Sequence, residues 1–149
     1  MKVSKRVTYG IMAAVDLAIN ANESPIQARA IARRQGIPVR FLEQVLHALK
    51  NADLVESHRG AQGGYLLSRE PSSLSIADIL EALEGPVFHR SSVSQRAHDR
   101  SVTKPELLLG DVWQQVQQAE RKVLEGITVE QLATHLRTLD AQRNPMYHI

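Results

Sequence analysis

Four polar side chains recur at helical spacing within residues 38–52, a segment that we predict to be a helix. At positions i, i+3, i+4 and i+7 of one face lie Arg40, Glu43, Gln44 and His47. An α-helix fits the major groove of DNA, where arginine can pair with guanine and glutamine with adenine. The pattern predicts base contacts from Arg40 and Gln44, with Val39 placed to touch a thymine methyl group. We place His47 on the same surface. Because an isolated polar stripe is more often a solvated helix face, the neighbouring elements must decide.

Basic side chains accompany this face in the first half of the chain. Residues 1–69 contain ten Lys and Arg against five Asp and Glu, a net charge of +5, whereas residues 70–149 contain eight against eleven, a net charge of −3. A basic half predicts contact with a polyanion, and phosphate contacts do not depend on base sequence. Each of these residues singly could equally be a solvated charge. The candidates for phosphate contacts are Lys2, Lys5, Arg6, Arg29, Arg33, Arg34, Lys50 and Arg59.

A glycine-rich segment, Gly60–Gly64, lies between two stretches of strand character at residues 54–59 and 65–68. It predicts a β-hairpin whose glycine tip lets the backbone approach the sugar–phosphate chain closely. Gln62 at this tip would then reach into a minor groove. An ordinary hairpin turn is the alternative.

The segment before residue 38 predicts the first helix of a helix-turn-helix. Residues 26–35 have helical character, Gly36 and Ile37 suit a tight turn, and Pro38 suits the first turn of the next helix. Two helices that cross at such a turn need a small residue at the contact, a glycine at the corner and apolar residues that lock the crossing. The matching residues are Ala32, Gly36, Ile31, Ile37, Leu42 and Val45. This combination favours DNA recognition over a solvated face.

A long helix is predicted from about residue 105 to residue 125, and Thr128 caps a final short helix. Apolar residues recur along the long helix at spacings of three and four, as in a coiled-coil-like helix pair. This seam could pack within one chain or against a second copy. A single winged domain leaves a long helix little to cover, so a homodimer is favoured, in keeping with palindromic operators. The seam residues are Leu109, Val112, Val116, Ala119 and Val123.

These elements predict a mainly α-helical fold with a small β-hairpin wing: a winged helix-turn-helix plus a long C-terminal dimerisation helix. A first helix begins at Ser4, and a fourth begins at a capping box of Ser75 and Asp78. The predicted divisions are a DNA-binding domain over 1–86, a flexible loop over 87–104, and the dimerisation helix with a short C-terminal helix over 105–149.

No constellation of residues predicts catalysis or a metal site, and we expect neither an enzyme nor a cofactor. The chain has no cysteine, which excludes disulfides and thiol catalysis and argues strongly against an iron–sulfur cluster. Its six histidines form no metal-ligand motif. His89, His98 and Asp99 share one polar stretch that could hold a metal loosely but is more simply solvated. Acidic residues of the first and fourth helices are expected to be surface charges.

The composition is that of a globular protein, with 43% hydrophobic and 23% charged residues. No stretch approaches the roughly 18 apolar residues of a membrane span. The basic start is not followed by the apolar segment of a signal peptide. We expect a cytoplasmic protein without membrane association.

Several of these motifs resemble those of the bacterial regulator family of IscR, NsrR and CymR. The most specific are RGxxGGYxL at residues 59–67 and ALEG at residues 82–85. The opening residues 2–4 with Tyr9, the turn at 32–37 and FLEQ at 41–44 also agree. The resemblance is strong over 1–86 and looser over 105–136. It implies a winged-helix dimer that binds a partly palindromic operator and usually represses transcription.

The sequence departs from the family pattern after ALEG. Cluster-binding members carry three cysteines there, whereas residues 89–104 contain none. The chain therefore resembles the cluster-free branch, in which CymR responds to a protein partner, and a protein or small-molecule effector is to be expected.

The prediction is a homodimeric, sequence-specific DNA-binding regulator, a repressor by resemblance, without an iron–sulfur cluster. One alternative is a winged-helix module for protein–protein contact. Another is a regulator whose DNA binding is controlled by a partner enzyme.

Overall fold

The computed structural model describes residues 2–85 and 101–143 of the chain. Within these ranges the helices are α1 (Lys5–Asn20), α2 (Ala28–Gln35), α3 (Val39–Asn51), α4 (Ile76–Glu84), α5 (Lys104–Glu125) and α6 (Val129–Arg143). A hairpin of β1 (Val55–His58) and β2 (Gly64–Leu67) follows α3, and a short 3₁₀ helix (Pro71–Ser73) precedes α4. This order confirms the predicted winged helix-turn-helix with a long C-terminal helix. Residues 86–100, which include most of the loop predicted over 87–104 together with His89, His98 and Asp99, lie outside the described residues.

The turn between α2 and α3 has the geometry that the sequence predicts. Gly36 adopts a left-handed conformation with φ 65°, which glycine adopts without steric cost. The backbone N–H of Ile37 donates to the carbonyl of Ala32 at 3.0 Å, closing the turn. Ile31, Ala32 and Leu42 are buried at the crossing. The angle between the two helices is therefore set by a packed, apolar corner.

The wing is joined to the segment before α2, which the sequence analysis had assigned to the helix. Ile26 is extended rather than helical, and it exchanges two backbone hydrogen bonds with Tyr65 of β2, at 3.0 and 2.8 Å. Pro25 favours an extended or turn conformation just before it. The predicted helix over 26–35 was therefore two residues too long at its start. The extended residue Ile26 instead pairs with the open edge of β2, beside the hairpin.

One hydrophobic core lies between α1, α2, α3, α4 and α6. Its fully buried side chains include Leu17 of α1, Leu46 of α3, Ile79 of α4 and Val129 of α6. The start of α6 is tied to the start of α4, because the N–H of Val129 donates to Leu74 at 2.8 Å and the N–H of Ile76 donates to Ile127 at 2.9 Å. The short C-terminal helix thus packs on the N-terminal elements.

Capping residues fix the ends of α4 and α5. Ser75 and Asp78 form the predicted capping box at α4, and Thr103 and Glu106 form a second box at α5. Along α5, only Gly110 is buried. A long helix with so little cover leaves most of its surface open.

Candidate nucleic-acid interface

The polar face of α3 is open along its length. Arg40, Glu43, Gln44 and His47 are all exposed. The opposite side of the helix is buried through Leu42, Val45, Leu46 and Leu49. The core therefore holds α3 by one side and presents the predicted recognition face outward, with Val39 36% exposed at its start.

A groove of about 700 Å³ runs beside this face. Arg6, from the first turn of α1, forms part of its wall opposite residues of α3. The Nε of Arg6 is buried and has no hydrogen-bond partner among the described residues. The rest of the guanidinium carries a positive charge at the groove wall, which suits an anionic ligand. The α3 residues that line the groove are Arg40, Glu43, Gln44, His47, Ala48 and Asn51.

Asn51 was missed by the sequence analysis. It lies four residues after His47 and seven after Gln44, so it extends the same helical face by one turn. Its side chain carries both a donor and an acceptor, as glutamine does. Extending the i, i+4, i+7 pattern to the end of the helix would have found it.

Most of the predicted phosphate contacts are surface cations. Lys2, Lys5, Arg29, Arg33, Lys50 and Arg59 are exposed, and Arg6 is half-buried. Of these, the groove brings together only Arg6 with the α3 face. The others lie on α1, α2, the end of α3 and the wing, and their contacts with DNA remain predictions.

Arg34 is the exception, because its guanidinium is bound to Asp16. Its Nε and one terminal nitrogen donate to the two carboxylate oxygens of Asp16 at 2.9 and 2.7 Å. The hydrogen bond with Asp16 raises the pKa of Arg34, an effect that burial partly offsets and the charge of Asp16 reinforces. Arg34 is thus engaged within the protein, which makes it a weaker candidate for a phosphate contact than the cations that lie free at the surface.

The Asp16 side chain itself corrects a second prediction. Expected as a surface charge, Asp16 is 1% exposed, and it also accepts a hydrogen bond from the Nε2 of Gln35 at 2.8 Å. A buried carboxylate needs charged and polar partners, and α2 supplies both. This network joins the first helix of the helix-turn-helix to α1.

The wing is held close to α2 by its glycines. A side chain on Gly64 would place its Cβ 2.4 Å from the backbone carbonyl of Ile26. A side chain on Gly63 would meet the carbonyl oxygen of His58 at 2.2 Å. Only glycine fits at these two positions. Gln62 and Arg59, the predicted wing contacts, are exposed.

The predicted seam of α5 is apolar and open in the single chain. Leu109, Val112, Val116 and Val123 are between 45% and 61% exposed, and Ala119 is exposed as well. Leu108 and Trp113 widen this surface, at 71% and 60% exposed. The sequence analysis missed both, although Trp113 follows Leu109 by four residues and so shares its face. The seven residues together are called the α5 apolar face below.

Among the described residues, no three His, Cys, Asp or Glu side chains are grouped so that they could hold a metal ion. In the same part of the chain, the helices are too short or too polar to span a bilayer.

Comparisons with known proteins identify the family of this chain. The family model of Rrf2, with the description iron-dependent transcriptional regulator, matches residues 3–135. The chain belongs to the Rrf2 family. As its relatives are transcriptional regulators, this member is a DNA-binding transcription regulator and not an enzyme.

The alignments with relatives cover most of this chain and most of each relative. The HTH-type transcriptional regulator CymR of Bacillus subtilis is 36% identical over 135 residues, which cover 91% of each protein. IscR of Klebsiella pneumoniae is 26% identical over 151 residues, covering 99% of this chain and 89% of IscR. These matches confirm the predicted family resemblance.

Solved structures give the same result. The structure of CymR, the global cysteine regulator of B. subtilis, superimposes with a TM-score of 0.71 and 31% identity over 91% of this chain and 98% of CymR. IscR of T. potens superimposes with a TM-score of 0.70 and 36% identity over 91% of this chain and 88% of IscR.

The iron named in the family description has no thiolate ligands here. Iron–sulfur clusters are held mainly by cysteine thiolates, and this Rrf2 member contains no cysteine. The donor set of the chain therefore does not fit such a cluster.

Proposed function

We propose that this Rrf2 member is a homodimeric, sequence-specific repressor that binds a partly palindromic operator without an iron–sulfur cluster. The observation that carries the proposal is the groove beside α3, where Arg6 faces an open row of residues able to read bases. The helix supplies the shape that fits a major groove, and Arg6 supplies a cation for the adjoining phosphate chain.

Base recognition is assigned to the exposed side of α3. Arg40 would pair with guanine and Gln44 with adenine, while Val39 would touch a thymine methyl group. His47 and Asn51 continue the same row toward the end of the helix. Because these side chains lie on one rigid, core-packed helix, their spacing is fixed before DNA is bound.

Phosphate and minor-groove contacts are assigned to α1, α2 and the wing. Gln62 at the wing tip would enter the minor groove, beside the backbone rails that the glycines allow the hairpin to approach. The cations that would contact phosphates are the half-buried Arg6 and the exposed Lys2, Lys5, Arg29, Arg33 and Arg59.

The homodimer is assigned to the α5 apolar face. Seven exposed residues on one helix form an apolar surface that is unusual for a monomer in water. A second copy of the same helix is the partner of matching chemistry, and it would give the protein the two-fold symmetry of a palindrome. The divisions at residues 1–86, 87–104 and 105–149 stay a proposal of this kind.

Repression and its signal follow from the family resemblance and the composition. A dimer seated on an operator would exclude other proteins from that DNA. Because the chain lacks the ligands for an iron–sulfur cluster, its signal would come through a protein or a small-molecule effector, including the case of a partner enzyme that controls DNA binding.

The test is selection of bound sequences from a random double-stranded DNA pool with purified protein in moderate salt. Enrichment of an inverted repeat is expected, and the selected site placed over a promoter should lower transcription in a purified system as protein is added. Binding should also weaken steeply with salt, because phosphate contacts release counterions. Failure to enrich any sequence, combined with salt-independent binding to another protein, would instead indicate a protein–protein interaction module.

A further inference from the structure

A hydrogen bond connects the end of α4 to the start of α1. The hydroxyl of Ser4 donates to a carboxylate oxygen of Glu84 at 2.5 Å, across 80 positions of sequence. Glu84 is the last residue of α4, and Ser4 is the N-cap of α1. Both residues are exposed, so this bond lies at the surface of the molecule.

Ser4 occupies the position that orients the basic N-terminal residues. Its Oγ also accepts a hydrogen bond from the N–H of Val7 at 3.2 Å, which fixes the first turn of α1. Lys5 and Arg6 belong to that turn, and Lys2 lies two residues before the N-cap. The direction of the first turn therefore decides where the Arg6 guanidinium meets the groove beside α3.

Packing in the same region also holds the start of α1 against the end of α4. Gly10 of α1 is buried, and a Cβ at that position would lie 2.4 Å from the Cδ1 of Leu83. The Leu83 side chain thus occupies the space that a side chain at position 10 would need, so α1 and α4 are packed together here. Glu84 follows Leu83 directly, so its carboxylate extends from a tightly packed contact.

The charge of Glu84 makes a positioning role testable. A carboxylate close to a phosphate-binding surface repels DNA, so electrostatics alone predicts tighter binding when it is removed. If Glu84 instead orients the cations, its removal should weaken DNA binding. Glu81 provides a matched comparison, because it is an exposed carboxylate three residues earlier on α4.

We propose that Glu84 is a positioning residue for DNA binding, which holds Ser4 and thereby aims Lys2, Lys5 and Arg6 at the phosphate chain. The proposal rests on the DNA-binding function proposed above. It also makes the C-terminal end of α4 and the basic start of α1 a single unit, so that a displacement of one changes the DNA contacts of the other.

The experiment measures affinity for the selected operator by fluorescence anisotropy in a series of salt concentrations. Glu84→Ala is expected to weaken binding about threefold to tenfold, the range of one lost hydrogen bond. It should also lower the slope of log affinity against log salt by about one phosphate contact. Glu84→Gln keeps an acceptor for Ser4 and should restore both values. Glu81→Ala should bind as tightly as the wild type or more tightly.

A double-mutant cycle separates this role from general destabilisation. In a Ser4→Ala background, Glu84→Ala should cause little further loss, because both changes remove the same bond. Active protein is counted by stoichiometric titration, so partial unfolding changes the count and leaves the salt slope untouched. The proposal is overturned if Glu84→Ala binds the operator as tightly as Glu81→Ala does, or if Glu84→Gln fails to restore the affinity and the salt slope. It is also overturned if the losses of affinity from Ser4→Ala and Glu84→Ala add in the double variant. A wild type that selects no operator would contradict the proposed function instead.

Discussion

Arg33 and Arg34 are neighbours in the chain, yet they face different surroundings. A step of one residue turns a helix by about 100°, and this turn separates the exposed side of α2 from the side against α1. Arg34 there forms a two-point ion pair with a buried carboxylate, whereas Arg33 is left in solvent. One arginine is therefore assigned to stability and the other to DNA.

Arg34→Ala is expected to lower the free energy of unfolding by about 2–3 kcal/mol, because it leaves the carboxylate of Asp16 buried with Gln35 as its one remaining side-chain partner among the described residues. The value stays below that of a wholly buried pair, since the Arg34 side chain is 41% exposed. The raised pKa of Arg34 means that its charge is retained at every pH below its ordinary value, so the loss should not vary around neutrality.

Urea denaturation measures this change, and Arg33→Ala is its control. Arg33→Ala should leave the unfolding free energy within about 0.5 kcal/mol while it weakens DNA binding. Equal stabilities of the two variants would show that the Asp16 network contributes nothing.

Arg40→Ala is expected to cost about 1–3 kcal/mol of operator binding and to relax specificity at one base pair, because a bidentate arginine contact is lost. The measurement is a repeated selection from random DNA with the variant. Lys50→Ala serves as the control, since it removes the same charge from the last turn of α3 and should weaken all sequences alike. An unchanged base preference for Arg40→Ala would refute the assignment.

Sequence reasoning predicted which residues are exposed where local spacing decides it, and it failed where a distant partner decides. The outward face of α3 follows from helical periodicity, and the structure has its residues exposed. Nothing in the spacing of Asp16 and Arg34, 18 positions apart, indicates that they meet. The hydrogen bond between Ser4 and Glu84 is hidden for the same reason.

At the scale of elements, the wing too combines a local feature that the sequence predicts with a distant contact that it does not. The glycine-rich tip between two strand-like stretches predicted the hairpin correctly. Its docking onto Ile26 was not predicted, because backbone hydrogen bonds carry no side-chain signal. Gly64 belongs to this docking, with φ 149° and no room for a Cβ beside Ile26.

Gly64→Ala is expected to destabilise the protein by more than about 2 kcal/mol, since it combines an unfavourable φ with overlap against fixed backbone. Gly60→Ala is the matched control. Gly60 also has a positive φ, 108°, but open space surrounds its Cβ position. It should therefore show only the smaller cost of backbone strain.

Thermal unfolding and operator binding together measure the two variants. Gly64→Ala should lose both stability and wing-dependent affinity, and Gly60→Ala should unfold close to the wild type. Equal melting temperatures for both substitutions would show that the wing does not depend on the contact with Ile26.

At the scale of the whole molecule, the core of one chain does not cover the apolar side of α5. Leu124 of α5, with Leu132 and Leu136 of α6, packs against the core, whereas the α5 apolar face does not. The heptad-like spacing predicted this apolar seam. Spacing alone could not tell whether this seam packs within one chain. In the structure of the single chain, the seam residues are exposed.

Val116→Asp is therefore expected to weaken self-association at least about tenfold, because it would place a charge in the centre of an apolar contact. Gln118→Asp is the control, since it introduces the same charge on an exposed position about 200° around the helix. Sedimentation velocity over a range of concentrations should find the wild type and Gln118→Asp as dimers and Val116→Asp as a monomer. Operator binding should fall with dimerisation in Val116→Asp alone, because a monomer can occupy only one half-site. A monomeric wild type that still binds the full inverted repeat would show that α5 does not join two copies.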